Sequence, residues 1–453
     1  MSEWKKVKIG DFLTERTGRY KPDDKIISQY QRLDKIDFSG NIHISDKPSK
    51  TDMILVQPGD LVISGINVAK GAVAVYQGAE PVCATIHYSS YIFDDKKIDL
   101  EYFKYFVKSP AFLDVLKQQV KGGIKTEIKP KHLLPLEISL PDLSTQKEIV
   151  EVLSKKIEKV ELIKSEIESQ KSYVKQLRQN ILQEAIEGKL TEDWRKENPV
   201  VKGNPDFDAE ALFEKIQEEK CHTDSELLRN SKKKVRSSNN LQDKMEDDFK
   251  IDIPQEWIYI KLSELGILER GRSKHRPRND ACLFSEGKYP LVQTGDVSQS
   301  KYYGYRIQPA SKFYNEVGLK QSKMWKSGTL CITIAANIAE TGFLTYDACF
   351  PDSVVGFTSY LEGCFKIFVR YYVDSIKQLL EKYAPATAQK NINLGILETL
   401  KIPLPPLAEQ TEIVRVVESQ LAKVDQLEKQ IAERETMTKQ LMQSIMKDAF
   451  REE

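Results

Sequence analysis

The residues best suited to holding a polyanion lie close together: Arg270, Arg272, Lys274, His275, Arg276 and Arg278, with Gly271 and Pro277 marking a loop. Guanidinium and ammonium groups in such a run can bind phosphate oxygens, and Arg or Lys can also pair with the O6 and N7 edge of guanine. The plainer reading is a solvated surface loop, and residue types alone do not choose between the two. Smaller groups elsewhere have related chemistry. Ser64, Asn67 and Lys70 follow a candidate strand around Ile63, and Asn337 sits at the analogous place after Ile334. An Asn amide can read an adenine edge, but it is equally a turn former. Lys125, Lys129 and Lys131 stand beside Gly122-Gly123 and are answered by Gln389-Lys390-Asn391, loops able to touch a phosphate backbone.

Residues for catalysis are harder to find. A methyltransferase acting on a base amino group needs an Asp/Asn-Pro-Pro-aromatic loop, but the only Asn-Pro pairs are Asn198-Pro199 and Asn204-Pro205. No glycine-rich loop has P-loop spacing. Asp95-Lys96-Lys97 is the nearest approach to a nuclease carboxylate-lysine pattern and reads as a charged turn. The five histidines show no i, i+4 pair, and Cys83, Cys221, Cys282, Cys331, Cys349 and Cys364 form no CxxC pair, so no metal site is expected and the thiols read as free and buried. A Ser/His/Asp triad is recognised by geometry and not by spacing, so that possibility stays open.

At 453 residues the chain is too long for one hydrophobic core and should fold as two to four domains. With 40% hydrophobic and 30% charged residues it reads as a soluble protein. No stretch approaches the roughly 20 apolar residues that span a bilayer, and Met1-Ser2-Glu3-Trp4-Lys5 lacks the apolar core of a signal peptide, so the expected location is cytoplasmic. A net charge of +1 argues against a protein that coats a polyanion over its whole surface; basic character must be local.

What positions the candidate residues is a duplicated framework. Leu136, Ile138, Leu140, Pro141, Leu143, Gln146, Glu148, Ile149 and Val150 recur as Leu400, Ile402, Leu404, Pro405, Leu407, Gln410, Glu412, Ile413 and Val414, at a constant offset of 264 residues. The register continues without a gap to Ala185 and Ala449. Upstream the likeness is looser. Trp4 to Ile9 is answered by Trp257 to Leu262, and Gly59-Asp60-Leu61-Val62-Ile63-Ser64 by Gly328-Thr329-Leu330-Cys331-Ile332-Thr333. Each half begins with short β-branched and aromatic runs broken by Gly and Asp, predicting a mixed α/β head. Asp60 to Ile66 and Ala72 to Tyr76 read as strands; Tyr102 to Val120 and Arg370 to Tyr383 read as helical.

Each head is followed by a heptad. Leu153, Val160, Ile167, Val174 and Ile181 fall seven apart, joined by Ile163 and Leu177; Val417, Val424, Ile431 and Ile445, joined by Leu427 and Leu441, form the second seam, interrupted only at Thr438. Thr145 and Glu148 have capping-box spacing, and Gly188 suits a left-handed stop. A helix from Thr145 to Glu187 would be roughly 65 Å long at about 1.5 Å per residue. An apolar seam needs a partner, and the second copy has the same period. Because a head must intervene between the two helices, antiparallel pairing is expected, with the heads at opposite ends under an approximate two-fold axis. The alternative packs each helix on its own head. The expected fold class is α+β: residues 1–143 a first head, 144–190 a spacer helix, 191–250 a polar linker with a short helix near Ala209 to Lys220, 251–407 a second head, and 408–453 a second spacer helix. The runs Lys232-Lys233-Lys234-Val235-Arg236 and Glu246-Asp247-Asp248 suggest that the linker is solvated.

Ile402-Pro403-Leu404-Pro405-Pro406-Leu407-Ala408-Glu409-Gln410 leading into a heptad helix, Ile181 to Leu190 closing the first one, and Ile253-Pro254-Gln255-Glu256-Trp257 opening the second head resemble type I restriction-modification specificity subunits along essentially the whole chain. The first copy departs from the double proline, reading Leu140-Pro141-Asp142-Leu143. The resemblance implies two target-recognition domains, each reading half of a split double-stranded DNA sequence, and two helices that dock two methyltransferase subunits. Those partners bring S-adenosylmethionine, and further restriction (motor) subunits cut with ATP and magnesium; the chain itself would bind no cofactor and catalyse nothing. Two readers on a pseudo-dyad would contact half-sites about a helical turn apart, with helix length setting the unread gap. The rival expectations are a self-contained DNA-acting enzyme and a coiled-coil scaffold that never touches nucleic acid.

Overall fold

The computed structural model describes residues 4–38, 40–67, 72–119, 129–228, 251–361, 365–384 and 391–451, without side chains at 224–228. Lys70, Lys125, Lys390 and the charged runs at 232–236 and 246–248 lie outside the described residues. The chain forms two compact units, Met1–Lys171 with Lys429–Glu453, and Ser172–Glu428. The division falls within both long helices, so each unit holds one head and a segment of each helix.

In the first unit, strand Lys5–Lys8 pairs antiparallel with Glu137–Leu140, placing Val7 opposite Ile138. An antiparallel sheet follows in the order Leu13–Glu15, Tyr88–Phe93, Leu61–Ser64, Val73–Val75. A second four-stranded sheet, Ile42–Ser45, Arg32–Ile36, Val82–Thr85, Met53–Val56, contains one parallel pair. The expected Tyr102 to Val120 helix is two, Leu100–Val107 and Pro110–Gln119. Proline disfavours a helical residue before it, and the Ser109 hydroxyl accepts from the Phe112 N–H to start the second helix. Tyr102, Phe103, Phe106 and Val107 form the buried face of the first. Against it lies the end of the last helix: the Phe450 ring sits edge-on to Tyr102 at 5.3 Å and to Phe106 at 5.5 Å.

The second head repeats the first sheet. Strand Ile258–Lys261 pairs with Lys401–Leu404, and an antiparallel sheet runs Gly266–Arg270, Val354–Ser359, Leu330–Thr333, Thr341–Phe343. Leu330 stands opposite Phe357 as Leu61 stands opposite Tyr91. Among the described residues the second sheet of the first head has no such counterpart; an antiparallel pair of Tyr289–Leu291 and Lys312–Tyr314 appears instead. The helical run expected from Arg370 to Tyr383 is Phe365–Ser375 followed by Lys377–Tyr383.

The long helices span Leu143–Ile186 and Leu407–Ala449. The expected capping box at Thr145 is corrected: Asp142 is the cap, its Oδ1 accepting from the Thr145 N–H at 2.9 Å and the Ser144 hydroxyl at 2.7 Å, so Thr145 already lies in the first turn. Both helices open on the same buried contact, Gln146 Nε2 donating to the Pro141 carbonyl and Gln410 Nε2 to the Pro405 carbonyl, each at 2.8 Å. Gly188 ends the first helix with φ +71°, and a Cβ there would meet Pro254 Cγ at 2.6 Å.

Leu153, Val160, Ile167, Val174 and Ile181 are buried, as are Val417, Val424 and Ile431, while Ile445 is half-buried beside buried Met446. Thr438 does not interrupt the stripe: it is buried, and its hydroxyl donates to the Arg434 carbonyl at 2.7 Å. The companion row differs from expectation, since Ile163, Leu177, Leu427 and Leu441 are exposed. With a single neighbouring helix, one row is covered and the next lies at the rim of the contact. The helices run antiparallel in each unit. In the first, Leu153 shares a core with Phe450, whereas Lys171 pairs with Glu435 at 2.9 Å and Gln170 accepts from Arg434. In the second, Arg178 pairs with Asp425 and Glu428, and Thr191, just past the first helix, donates to Glu409 near the start of the last.

The first part of the linker is folded and holds the expected helix. Thr191, Ala209, Leu212 and Ile216 are buried, the helix from Ala209 extends to Leu228, and Trp194 stacks on Phe207. The Pro205 and Asp206 carbonyls accept from the Leu407 and Ala408 N–H groups, supplying partners that the first turn of a helix lacks.

Candidate nucleic-acid interface

In the second head the basic loop leaves the edge strand Gly266–Arg270 and ends at the short turn Ala281–Leu283. Its cations are largely engaged. Arg272 pairs with Glu269 at 2.9 Å, Glu269 also receives Lys323, Arg278 grips both oxygens of Asp352 at 2.7 and 2.8 Å, and Arg270 donates to the Asp352 carbonyl. Arg276 donates to the carbonyls of Ser273 and His275. Lys274 is exposed, its backbone N–H held by Gln321 Oε1 at 2.6 Å and its ammonium without a partner among the described residues. His275 is half-buried and bonded to Asp280. The Arg278–Asp352 pair is exposed, and pairs of that kind contribute about 0–1 kcal/mol; those of Glu269 are part-buried.

Arg16 directly follows the equivalent strand of the first head, Leu13–Glu15; with Tyr91 matched to Phe357, Glu15 falls level with Leu268 and Arg16 one place before the position of Arg270. Sequence reasoning missed it; the signal was the shared Glu-Arg at Glu15-Arg16 and Glu269-Arg270. Arg16 forms a bidentate pair with Asp60 at 2.6 and 2.8 Å, and this hydrogen bonding raises the Arg16 pKa. Buried Asp60 also accepts from the Ser90 hydroxyl and the Gln57 N–H, which fixes the fork. A cleft of about 440 Å³ opens beside it, lined in part by Arg16, Arg19, Gly65, His87, Tyr88 and Lys129.

The remaining candidates divide. Ser64 is buried, and what it shapes is the loop: its N–H donates to the Ala72 carbonyl while its own carbonyl accepts from Asn67. It is therefore a support and not a surface contact. Asn67 is half-buried, and Lys129 is exposed at the cleft. Thr333, the counterpart of Ser64, does the same through its hydroxyl, which donates to the Asn337 carbonyl and accepts from the Glu340 N–H. Asn337 is exposed with its amide donating to Ser298 Oγ at 3.2 Å. Its loop carries two alanines at positive φ, Ala336 at 67° and Ala339 at 57°, a local strain that costs of order 1–3 kcal/mol each and concentrates at functional sites. The expectation of buried thiols holds for Cys83, Cys331 and Cys349 but not for Cys221 and Cys282, which are exposed. Among the described residues no helix is long and apolar enough to cross a membrane.

Twin sheets of one strand order, each followed by a long helix and each edged by a cation-bearing loop, define a duplicated, two-headed recognition protein. The chain belongs to the family of the type I restriction modification DNA specificity domain, whose model matches residues 1–170 and 254–434. It is similar to the type I restriction enzyme EcoKI specificity subunit of Escherichia coli (strain K12), 25% identical over 411 residues, which cover 88% of this chain and 75% of that protein. The StySPI specificity subunit of Salmonella potsdam is 24% identical over 400 residues, again 88% and 75%. A solved chain from the complex assembly and conformational transition of the type I R-M system matches over 99% of this chain and 97% of its own, with TM-score 0.59 at 16% identity, a likeness of fold.

Proposed function

We propose that this chain reads DNA sequence for a type I restriction-modification complex, one head per half of a bipartite, asymmetric duplex target, and that it catalyses no step itself. The observation that carries this reading is the repetition of one sheet with unlike loops: Arg16 on Asp60 in the first head, the Arg270 to Arg278 loop in the second. Unlike side chains on one scaffold read unlike half-sites, while Lys and Arg on phosphates supply most of the affinity. The long helices dock two methyltransferase subunits. Their exposed apolar residues, Leu162, Ile163 and Met437 in the first unit and Tyr173, Leu177 and Leu427 in the second, are the groups a partner would cover. S-adenosylmethionine belongs to those partners, and ATP with magnesium to restriction subunits where present.

Exchanging residues 1–135 for the head of a relative, co-expressing the methyltransferase and mapping methylated adenines tests this. One half of the recognised sequence should change and the other should not; a change in both halves refutes the division of labour. Cutting or methylation by the purified chain alone would favour a self-contained enzyme. Absence of salt-sensitive, sequence-selective duplex binding by the reconstituted complex would favour a scaffold.

A further inference from the structure

We infer that His275, Asp280 and Cys282 in the second head form a binding site for a thiophilic divalent cation of the zinc class. Sequence spacing hides this set, because His-x4-Asp-x-Cys is no familiar ligand pattern; the turn after the basic loop brings the three together. Their ligand atoms lie within 4.8 Å of one another. His275 Nε2 is 2.9 Å from Asp280 Oδ2 and 3.9 Å from Cys282 Sγ. Tetrahedral zinc, with bonds of about 2.0–2.3 Å to these atom types, separates its ligands by roughly 3.4–3.6 Å. The two His275 separations lie within about 0.5 Å of that range and the Asp280–Cys282 pair, at most 4.8 Å apart, has to close by no more than about 1.2 Å, so side-chain rotation alone can bring the three to one ion, which would replace the His275–Asp280 hydrogen bond.

The donor set selects the metal. Imidazole nitrogen, carboxylate oxygen and thiolate sulfur together suit zinc or cobalt and not magnesium or calcium, which take oxygen ligands. A dication balanced by a carboxylate and a thiolate leaves a neutral site, so the neighbouring Arg276 and Arg278 do not oppose it. Binding releases the Cys282 thiol proton to solvent. Cys282 is exposed while His275 and Asp280 are half-buried, so the fourth coordination position faces water.

The scaffold around the set is built from outside the loop. Gln321 Oε1 accepts from the His275 backbone N–H at 3.1 Å. Asn315 Nδ2 donates to the Cys282 carbonyl at 3.0 Å, and Asp280 Oδ1 is taken by the Cys282 N–H at 3.0 Å, which leaves Oδ2 turned to His275. Such supports orient ligands before the metal arrives. Because Arg276 and Arg278 lie between the first and second ligands in sequence, the ion would clamp the segment that carries them. That consequence rests on the DNA-reading proposal; metal binding itself does not.

The experiment uses the full chain, stripped with chelator and titrated with cobalt(II), without DNA. One equivalent should produce a thiolate-to-cobalt charge-transfer band that zinc abolishes, and zinc should raise the melting temperature. Cys282→Ser should remove the band, and His275→Ala should weaken affinity by at least the roughly 10–100-fold seen for loss of a mere supporting contact. Cys221→Ser, at the other described exposed thiol, should retain both effects. Circular dichroism checks that each variant is folded. No band at one equivalent, or a band that survives Cys282→Ser in folded protein, overturns the inference. If metal binds while duplex affinity is unchanged by it, the site stands and only its link to DNA reading fails.

Discussion

Glu409, in the first turn of the last helix, offers the sharpest test of how the second unit is held together. Its buried carboxylate is met by three donors from distant parts of the chain: Arg195 in the linker, Thr191 Oγ1 at 2.7 Å and Trp257 Nε1 at 2.8 Å. Glu409→Ala leaves a mostly buried guanidinium without its counter-ion and an indole N–H without an acceptor. Breaking a buried pair costs about 3–5 kcal/mol, and an unsatisfied buried donor about 1–3 kcal/mol. These overlap, because Arg195 keeps its bond to the Gly188 carbonyl and its place over the Trp257 ring. A loss of about 3–5 kcal/mol is expected, or roughly 6–20 °C at about 2–4 °C per kcal/mol for a unit of this size. Tryptophan fluorescence during denaturant unfolding is the assay, since Trp194, Trp257 and Trp325 all lie in this unit.

Glu409→Gln should cost less, because burial pushes the Glu409 carboxyl above its ordinary range and the amide carries no charge to desolvate; the bonds from Thr191, Trp257 and Arg195 pull the other way without reversing it. A carboxyl with a raised folded-state pKa contributes its stability below the unfolded value and loses it as pH rises through the folded one. The advantage of wild type over Glu409→Gln should therefore narrow with rising pH. A loss below about 1 kcal/mol for Glu409→Ala, or coupling under about 0.5 kcal/mol in a double-mutant cycle with Arg195→Met, would refute this account of the node.

Gln146→Ala should destabilise the first unit by about 1–3 kcal/mol, since it strands the Asp99 N–H and the Pro141 carbonyl; unfolding of the isolated variant measures it, and a neutral result would remove the twin glutamines from the list of fold determinants. Glu435 is held down at about 2, first by its hydrogen bond from Lys439 and then by Lys171. Its contribution is present above the ordinary glutamate range and is lost as pH falls toward about 2. In Lys171→Met, carboxyl titration by NMR should find the Glu435 midpoint moved up only part of the way, because Lys439 remains; an unmoved midpoint would mean that the contact between the helices is absent in solution.

Much of this architecture could be read from the chain because its causes are local and periodic. A seven-residue repeat from Leu153 to Ile181 dictates which helix row is apolar, Gly188 can adopt a left-handed stop, and short apolar, β-branched runs such as Leu61 to Ser64 favour strands. The constant offset between the halves required two copies of one design. What lay beyond reach depends on residues far apart in sequence meeting in space. Phe450 against Tyr102, Trp257 on Glu409 and Arg16 on Asp60 leave no local pattern, because each partner is an ordinary residue where it stands. The same reason explains the site. Composition marks Arg272 and Arg278 as cations, but only the fold decides that Glu269 and Asp352 sit beside them and that a single turn gathers His275, Asp280 and Cys282. Periodicity determines which face of an element is apolar; how much of that face is covered, as Ile163 and Leu177 demonstrate by their exposure, is settled by how many neighbours the tertiary structure supplies.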